Sequence, residues 1–207
     1  MGFSLLVGIE PDKKIIENIN KIRKFFNTKL YSDPFSKSDP HITLFINSFS
    51  NYRKIEKIIF EITKKFNKFN LRIEGVHIFK KNNVLSSNYI LVYKISKNKN
   101  LIKLQKLLIK NLIPLKNKDY DNWLISQIEN IAPKLRNNII KTGTPIDLDK
   151  YIFHTTICSV PKNEFDRTYD IIKEFDISMS FKVRFITIYI DKNKKGFKKY
   201  KKIELKD

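Results

Sequence analysis

His41-Ile42-Thr43-Leu44 and His154-Thr155-Thr156-Ile157 are the two stretches from which the rest of this chain can be read. Each opens a run of apolar and β-branched residues of the kind that builds strands. Side chains alternate faces along a strand, so His41 and Thr43 share one face, and His154 and Thr156 share one face. A lone histidine on a strand is ordinarily structural. Here, however, two of three histidines carry a threonine two positions later. Nine of the 207 residues are threonine, so chance would produce this on the order of half a percent of the time.

Working outward, the elements around each motif follow one order. Residues 4–9 read as a buried strand, broken at Glu10-Pro11-Asp12, and Ile15, Ile19, Ile22 and Phe26 recur at helical spacing. Residues 27–40 form a loop with turn signals at Asp33-Pro34 and Asp39-Pro40. A strand over 41–46, a helix over 52–69 and strands over 71–79 and 89–95 complete the first half. In the second, Leu101, Gln105, Leu108 and Leu112 mark a helix that stops near Pro114. Residues 115–150 are irregular, with a short helix around 123–130. A strand over 151–160 follows, then a helix from Pro161 to about 175. Strands over 177–183, 185–190 and 200–205 close the chain, with a basic hairpin loop at 192–199.

Each half thus reads helix, strand, helix, strand, strand. That repeat of pattern predicts an α+β fold: one domain of two αβ lobes with antiparallel strands, related by approximate twofold symmetry. Lobe one is expected over about 1–95 and lobe two over about 96–207. If the lobes face each other across a cleft, both H-x-T pairs point into it.

Composition narrows the chemistry. Hydrophobic residues make up 42%, enough for a sizeable core, and the formal net charge of +20 attracts polyanions. Only six of the basic residues are arginine, however, and a codon drift toward lysine, asparagine and isoleucine explains much of the charge equally well. Cys158 is the single cysteine, so no internal disulfide can form, and a reducing, cytoplasmic setting is expected. No apolar run approaches a membrane span, the N-terminal stretch lacks a signal peptide's features, and Leu6 stands where a myristoylation motif at Gly2 wants Ser or Thr. One cysteine and three histidines lack zinc-ligand spacing, H-E-x-x-H is absent, and there is no glycine-rich phosphate loop. The expectation is therefore a protein with no metal, no cofactor and no ATP-dependent step.

Two imidazoles and two hydroxyls suit metal-free cleavage of a phosphodiester. One imidazole takes a proton from the attacking oxygen, the other protonates the departing one, and the hydroxyls donate to the non-bridging oxygens as charge builds.

Asp39-Pro40-His41-Ile42-Thr43-Leu44-Phe45 and Phe153-His154-Thr155-Thr156-Ile157 resemble the two motifs of the two-histidine (2H) phosphoesterases. That family includes 2′–5′ RNA ligase-like proteins, 2′,3′-cyclic nucleotide phosphodiesterases and enzymes that degrade 2′–5′ oligoadenylate. The resemblance covers nearly the whole chain in element order. It implies a bilobal αβ sandwich around a central cleft, with His41 and His154 catalytic and Thr43 and Thr156 binding phosphate. It also implies a nucleotide or RNA substrate whose phosphodiester involves a ribose 2′ oxygen. The preferred candidates are 2′–5′ linkages in oligoadenylate or a cyclic dinucleotide signal such as cGAMP, ahead of 2′,3′-cyclic RNA ends. A non-catalytic RNA-binding module is the competing reading. The chain is expected to act as a monomer, away from membranes. Thr155 departs from the family's apolar residue, a change that a semi-buried strand tolerates, and the spacing between motifs is long for compact members, which implies that 115–150 is an insertion that reshapes the pocket.

Tyr31 and Phe35 before the first motif, and Tyr151 before the second, are candidates to stack on a base, though each alone suits core packing or solvent. His77 lacks the threonine and is expected to be structural. Cys158 shares parity with His154 and Thr156, which predicts a place on the cleft floor.

Overall fold

A computed structural model describes residues 3–29, 37–79, 88–126, 133–144, 148–191 and 196–207. It contains one eight-stranded antiparallel sheet in the order β6-β3-β4-β5-β2-β1-β7-β8. The strands are β1 (Phe3–Ile9), β2 (Ile42–Phe49), β3 (Phe69–Phe79), β4 (Tyr89–Ile95), β5 (His154–Val160), β6 (Met179–Val183), β7 (Phe185–Asp191) and β8 (Lys198–Glu204). Among the described residues six α-helices accompany them: α1 (Lys13–Lys29), α2 (Tyr52–Thr63), α3 (Lys99–Leu112), α4 (Asp119–Ser126), α5 (Pro133–Thr142) and α6 (Phe165–Lys173). None of the described helices is long and apolar enough to cross a membrane.

The α+β architecture and its pseudo-twofold order stand, but the sheet does not divide near residue 95 as the element order suggested. One half-sheet is β2-β1-β7-β8 and the other β5-β4-β3-β6, so each draws strands from both ends of the chain. The reason is local pairing. Strands β3 and β4 form an antiparallel neighbour pair and hand on to β5, while β1 pairs with both β2 and β7. The helices cross over as well: α1, which leads into β2, packs on β5, whereas α3, which precedes β5, packs on β2.

The core lies between the helices and one face of this sheet. Ile15, Ile19 and Ile22 of α1, Ile55, Ile59 and Ile62 of α2, and Leu101, Leu104, Leu108 and Leu112 of α3 pack against Leu5, Val7, Ile73, Leu91, Ile95, Ile186 and Ile188. Each fully buried side chain of this size contributes about 1.5–3 kcal/mol. Helix α2 ends at Thr63 rather than 69, because Lys64 and Lys65 form a turn and Phe69 already belongs to β3. Phe66 and Phe69 keep an apolar spacing that mimics a longer helix, but they reach the core from the turn and the strand. Pro161 precedes a single 3-10 turn at Lys162–Glu164, and α6 begins only at Phe165.

The two half-sheets meet where β2 pairs with β5, and that contact is one registered pair, Ile42 with Thr155. Beyond Ile42 the two strands splay, so the far end of β2 would leave main-chain groups unpaired. The segment that follows α3 covers that edge. The Asn117 N–H donates to the Ser48 carbonyl (2.9 Å), and Gly143 sits so close to the Ile46 carbonyl that a Cβ would lie 3.0 Å from its oxygen. Gly143 closes α5 at φ +77°, a left-handed conformation open to glycine, with its N–H donating to Ile139 O. The segment therefore carries two helices, α4 and α5, where one short helix around 123–130 was expected. Beneath them a buried ion pair joins Lys116 to Asp121, whose side chains are 10% and 7% exposed. Lys116 Nζ also donates to Ile140 O (2.7 Å), and Asn47 Nδ2 donates to Asp121 Oδ1 (3.2 Å).

Removing one member of such a pair strands a buried charge, which costs about 3–5 kcal/mol. Asp121→Ala should therefore lower the unfolding free energy, measured by urea denaturation, by an amount in that range. The double variant Lys116→Met/Asp121→Leu should recover most of the loss. Equal losses in both would show that the segment is held by packing alone.

Candidate active site

Strands β2 and β5 run antiparallel about the Ile42–Thr155 pair. Extending that register by one residue sets His41 across from Thr156 and Thr43 across from His154. Ile42 and Thr155 point into the core and are fully buried, while the four motif residues lie half-buried on the opposite, open face. The structure thus brings together the two histidines and two threonines singled out from sequence, each histidine beside the other motif's threonine. Thr155 is not semi-buried as expected. It has no exposed surface, and its hydroxyl finds no hydrogen-bond partner among the described residues.

Both strands bulge directly after their H-x-T. In the first, Thr43 pairs with Gly8 and Phe45 with Val7, leaving Leu44 without a partner. In the second, Thr156 pairs with Val92 and Cys158 with Leu91, leaving Ile157 without one. A bulge inserts one residue and reverses the alternation beyond it. Cys158 is consequently turned into the helix-covered core, fully buried, and not onto the cleft floor that simple parity predicted. Gly8 beside Thr43 is required by close approach: a Cβ there would lie 2.6 Å from the Ile42 carbonyl oxygen.

The imidazoles are held alike. His41 Nδ1 lies 2.6 Å from the Asp39 carbonyl oxygen and His154 Nδ1 lies 2.7 Å from that of Ile152, in each case two residues back. A carbonyl oxygen only accepts, so Nδ1 carries the proton in both rings, and Nε2 of the neutral ring is left with its lone pair. Asp39 is itself fixed. Its N–H donates to Phe197 O (3.0 Å), and its Oδ2 accepts from Lys199 N–H (2.9 Å).

Burial shifts both histidines down, because a charged ring loses hydration. His41 falls to about 4: the bond to Asp39 opposes the shift, while the charges of Arg23 and His154 add to it. His154 is lowered by the same desolvation, partly opposed by its bond to Ile152, with His77 adding to the fall.

Aromatic side chains flank the pair on both sides. Tyr189 stands 5.2 Å from His41 between ring centres, and Phe79 stands 5.0 Å from His154. Their places correspond under the pseudo-twofold: Tyr189 pairs with Leu6 on β1, and Phe79 with Ile90 on β4. Phe197 adds an edge contact to His41 at 6.4 Å. Tyr151, predicted to stack on a base, lies between the motifs. Its ring centre is 6.5 Å from that of His154, and its hydroxyl is 3.5 Å from Thr43 O, at the outer limit of a hydrogen bond. Tyr31 and Phe35 lie outside the described residues. His77, expected to be structural, occupies the open face in register with Val92 and hence with Thr156, and its ring meets Phe79 at 5.4 Å.

Arg23, Phe79, Tyr189 and Phe197 were missed from sequence. Phe79 had a usable signal, since it shares parity with His77 on an apolar strand. Arg23 had none, being one more basic residue on an amphipathic helix in a lysine-rich chain. Among the described residues no three His, Cys, Asp or Glu side chains are grouped to hold a metal ion.

Comparison with known proteins agrees with this geometry. A family model described as the 2′-5′ RNA ligase superfamily matches residues 11–195. Among solved structures, TT0787 of Thermus thermophilus superposes with a TM-score of 0.58 at 11% identity, covering 98% of this chain and 97% of that one. E. coli LigT complexed with ATP gives 0.53 at 13% identity, and a structure described as a phosphoesterase gives 0.51 at 13% identity, each covering both chains completely. No curated protein sequence matches significantly. With its sequence matched over most of its length and its sheet arranged like theirs, the chain belongs to the 2′-5′ RNA ligase superfamily and is a phosphoesterase of the two-histidine type.

Proposed function

We propose that His41 and His154 are the acid–base pair of a phosphodiesterase that needs no metal and acts on RNA-type phosphodiesters involving a ribose 2′ oxygen. The preferred substrates are 2′–5′ linkages, in oligoadenylate or a cyclic dinucleotide such as cGAMP. The observation that carries the assignment is the matched pair of Nδ1 bonds to the carbonyls of Asp39 and Ile152. They leave two Nε2 atoms, one from each half-sheet, free to exchange protons on either side of a phosphate. Thr43 and Thr156 donate to its non-bridging oxygens. Tyr151 and the flanking rings of Tyr189 and Phe79 bound the space for ribose and base. E. coli LigT has been solved with ATP and with 3′-AMP, which supports a nucleotide as the class of ligand.

The two histidines are not equivalent. Burial lowers the pKa of both, and the permanent charge of Arg23 adds to the fall at His41 while the titratable His77 adds to that at His154. His41 is therefore assigned as base and His154 as acid. A leaving group that departs without a proton tests the division. His41→Gln and His154→Gln should each reduce kcat on 2′–5′ diadenosine by about 10²–10⁴-fold. On a ribonucleoside 2′-(p-nitrophenyl phosphate), His154→Gln should recover most of its rate while His41→Gln stays slow. Recovery of His41→Gln alone would reverse the roles.

The pH dependence follows in sign. Both pKa values are depressed in the free protein, so the singly protonated pair is most populated on the acidic side of the ordinary histidine value of about 6.5. The kcat/KM profile should be a bell centred below that value. A bound phosphate favours the charged ring and raises the pKa, so the kcat bell should sit at higher pH than that of kcat/KM. A kcat/KM that climbs steadily into the alkaline range would rule out an imidazolium acid.

Substrate class is tested on a panel of 2′–5′ diadenosine, 3′–5′ diadenosine, 2′,3′-cyclic AMP and a DNA dinucleotide, all in excess EDTA. Hydrolysis of the 2′–5′ dinucleotide without loss to chelator is expected, with the DNA dinucleotide uncut because it lacks the neighbouring oxygen. Turnover of 2′,3′-cyclic AMP alone would move the function to RNA-end processing. Binding throughout with no hydrolysis would favour an RNA-binding module.

A further inference from the structure

Arg23 sits on the face of α1 that otherwise buries Ile15, Ile19 and Ile22, and it is 6% exposed. A guanidinium at that depth is tolerated only if its donors are satisfied. Three of them reach main-chain carbonyls. Nη1 donates to Ser38 O (2.8 Å), Nη2 to Thr156 O (3.0 Å) and Nε to Ile157 O (2.9 Å).

These acceptors belong to both motifs. Thr156 is the second motif's threonine, and Ile157 is the residue its bulge leaves unpaired. Ser38 precedes Asp39, whose carbonyl holds the His41 ring. The strands that carry the motifs share one registered pair, Ile42 with Thr155. One pair sets a register but acts as a pivot, about which two splaying strands can change their angle. The planar fork of Arg23 supplies further fixed points, one in the approach to His41 and two in the strand of His154. A lysine could bring the charge but not the forked geometry.

We propose that Arg23 is a positioning residue of the two-histidine site: by bonding to the main chain of β5 and of the segment just before His41, it holds the two H-x-T motifs at their working separation. This rests on the assignment of His41 and His154 as the acid–base pair.

The test compares Arg23→Lys and Arg23→Gln with the wild-type protein in two readouts, turnover of 2′–5′ diadenosine and NMR titration of the His41 and His154 Cε1–H signals. Arg23→Lys keeps the cation and loses the fork. Its kcat should fall by roughly 10²-fold, as misplacement of reacting groups by about 1 Å does, with KM changed only a few-fold and the His41 midpoint near that of wild type. Arg23→Gln removes the cation as well, and its His41 midpoint should rise because a nearby positive charge opposes protonation. The other charged groups facing His41, Asp39 and His154, and the Glu10–Lys199 pair next to Asp39 are unchanged by either substitution. A purely structural arginine would lower the melting temperature while leaving the folded fraction with wild-type kcat and an unmoved His41 titration, and that result would overturn the proposal. If Arg23→Gln does not fold, kcat of Arg23→Lys decides. If neither histidine proves necessary for hydrolysis, the acid–base reading fails by itself, and the His41 titration still reports whether Arg23 acts on the motif.

Discussion

The single antiparallel pair between Ile42 and Thr155 is the constraint on which this structure turns. It joins the two half-sheets, and it decides which side chains face the open surface. A slip of one residue in either strand would exchange faces along its whole length, sending His41 and Thr43, or His154 and Thr156, into the core. The fully buried Ile42 and Thr155 side chains resist that slip, because the half-buried imidazoles cannot replace them among Ile15, Leu91 and Leu108 without loss of hydration. Core packing on one face thus specifies the site on the other. The weakness of a single pair is offset by what surrounds it: α1 on β5, α3 on β2, and the α4–α5 segment along the free edge of β2.

Within the site two opposing effects set the protonation of the histidines. Desolvation favours the neutral ring and is the largest influence on each, while a carbonyl bonded at Nδ1 favours the charged one and recovers only part of the loss. Burial thus holds both rings toward the neutral form. A negative charge arriving between them would favour the charged form of either ring. The strongly basic surface attracts such an anion from a distance, but several of its lysines are already committed locally, Lys199 and Lys202 to Glu10 and Lys201 to Glu56. Net charge therefore says less about the site than its two half-buried imidazoles do.

Much of this was legible in the chain. The H-x-T pairs, the alternation that aligns each His with its Thr, and the order of helices and strands all follow from short-range pattern, and short-range pattern is what sequence records best. What escaped depends on partners distant in sequence. The exchange of strands between half-sheets is decided by which edges pair, and apolar spacing is silent on that. The bulges at Leu44 and Ile157 reverse parity without any glycine or proline to announce them, so Cys158 was placed on the wrong face. Arg23 is visible only once Ser38, Thr156 and Ile157 converge on one side chain.

The pseudo-twofold also relates the two halves of the site part by part. Symmetry supplies the shared parts: the Nδ1 bond two residues back, the threonine across the junction, the bulge behind it and an aromatic ring two strands away. The differences then fall at equivalent places. Gly8 stands where the other half has Val92, and Tyr189 stands where the other has Phe79. Arg23 from α1 serves the β5 bulge, while its charge falls on His41. The main-chain bonds to the two rings are alike, so what differs between them is the charges nearby, Arg23 and Asp39 at His41 and His77 at His154. The two histidines are thus distinguished by residues around the motifs rather than in them.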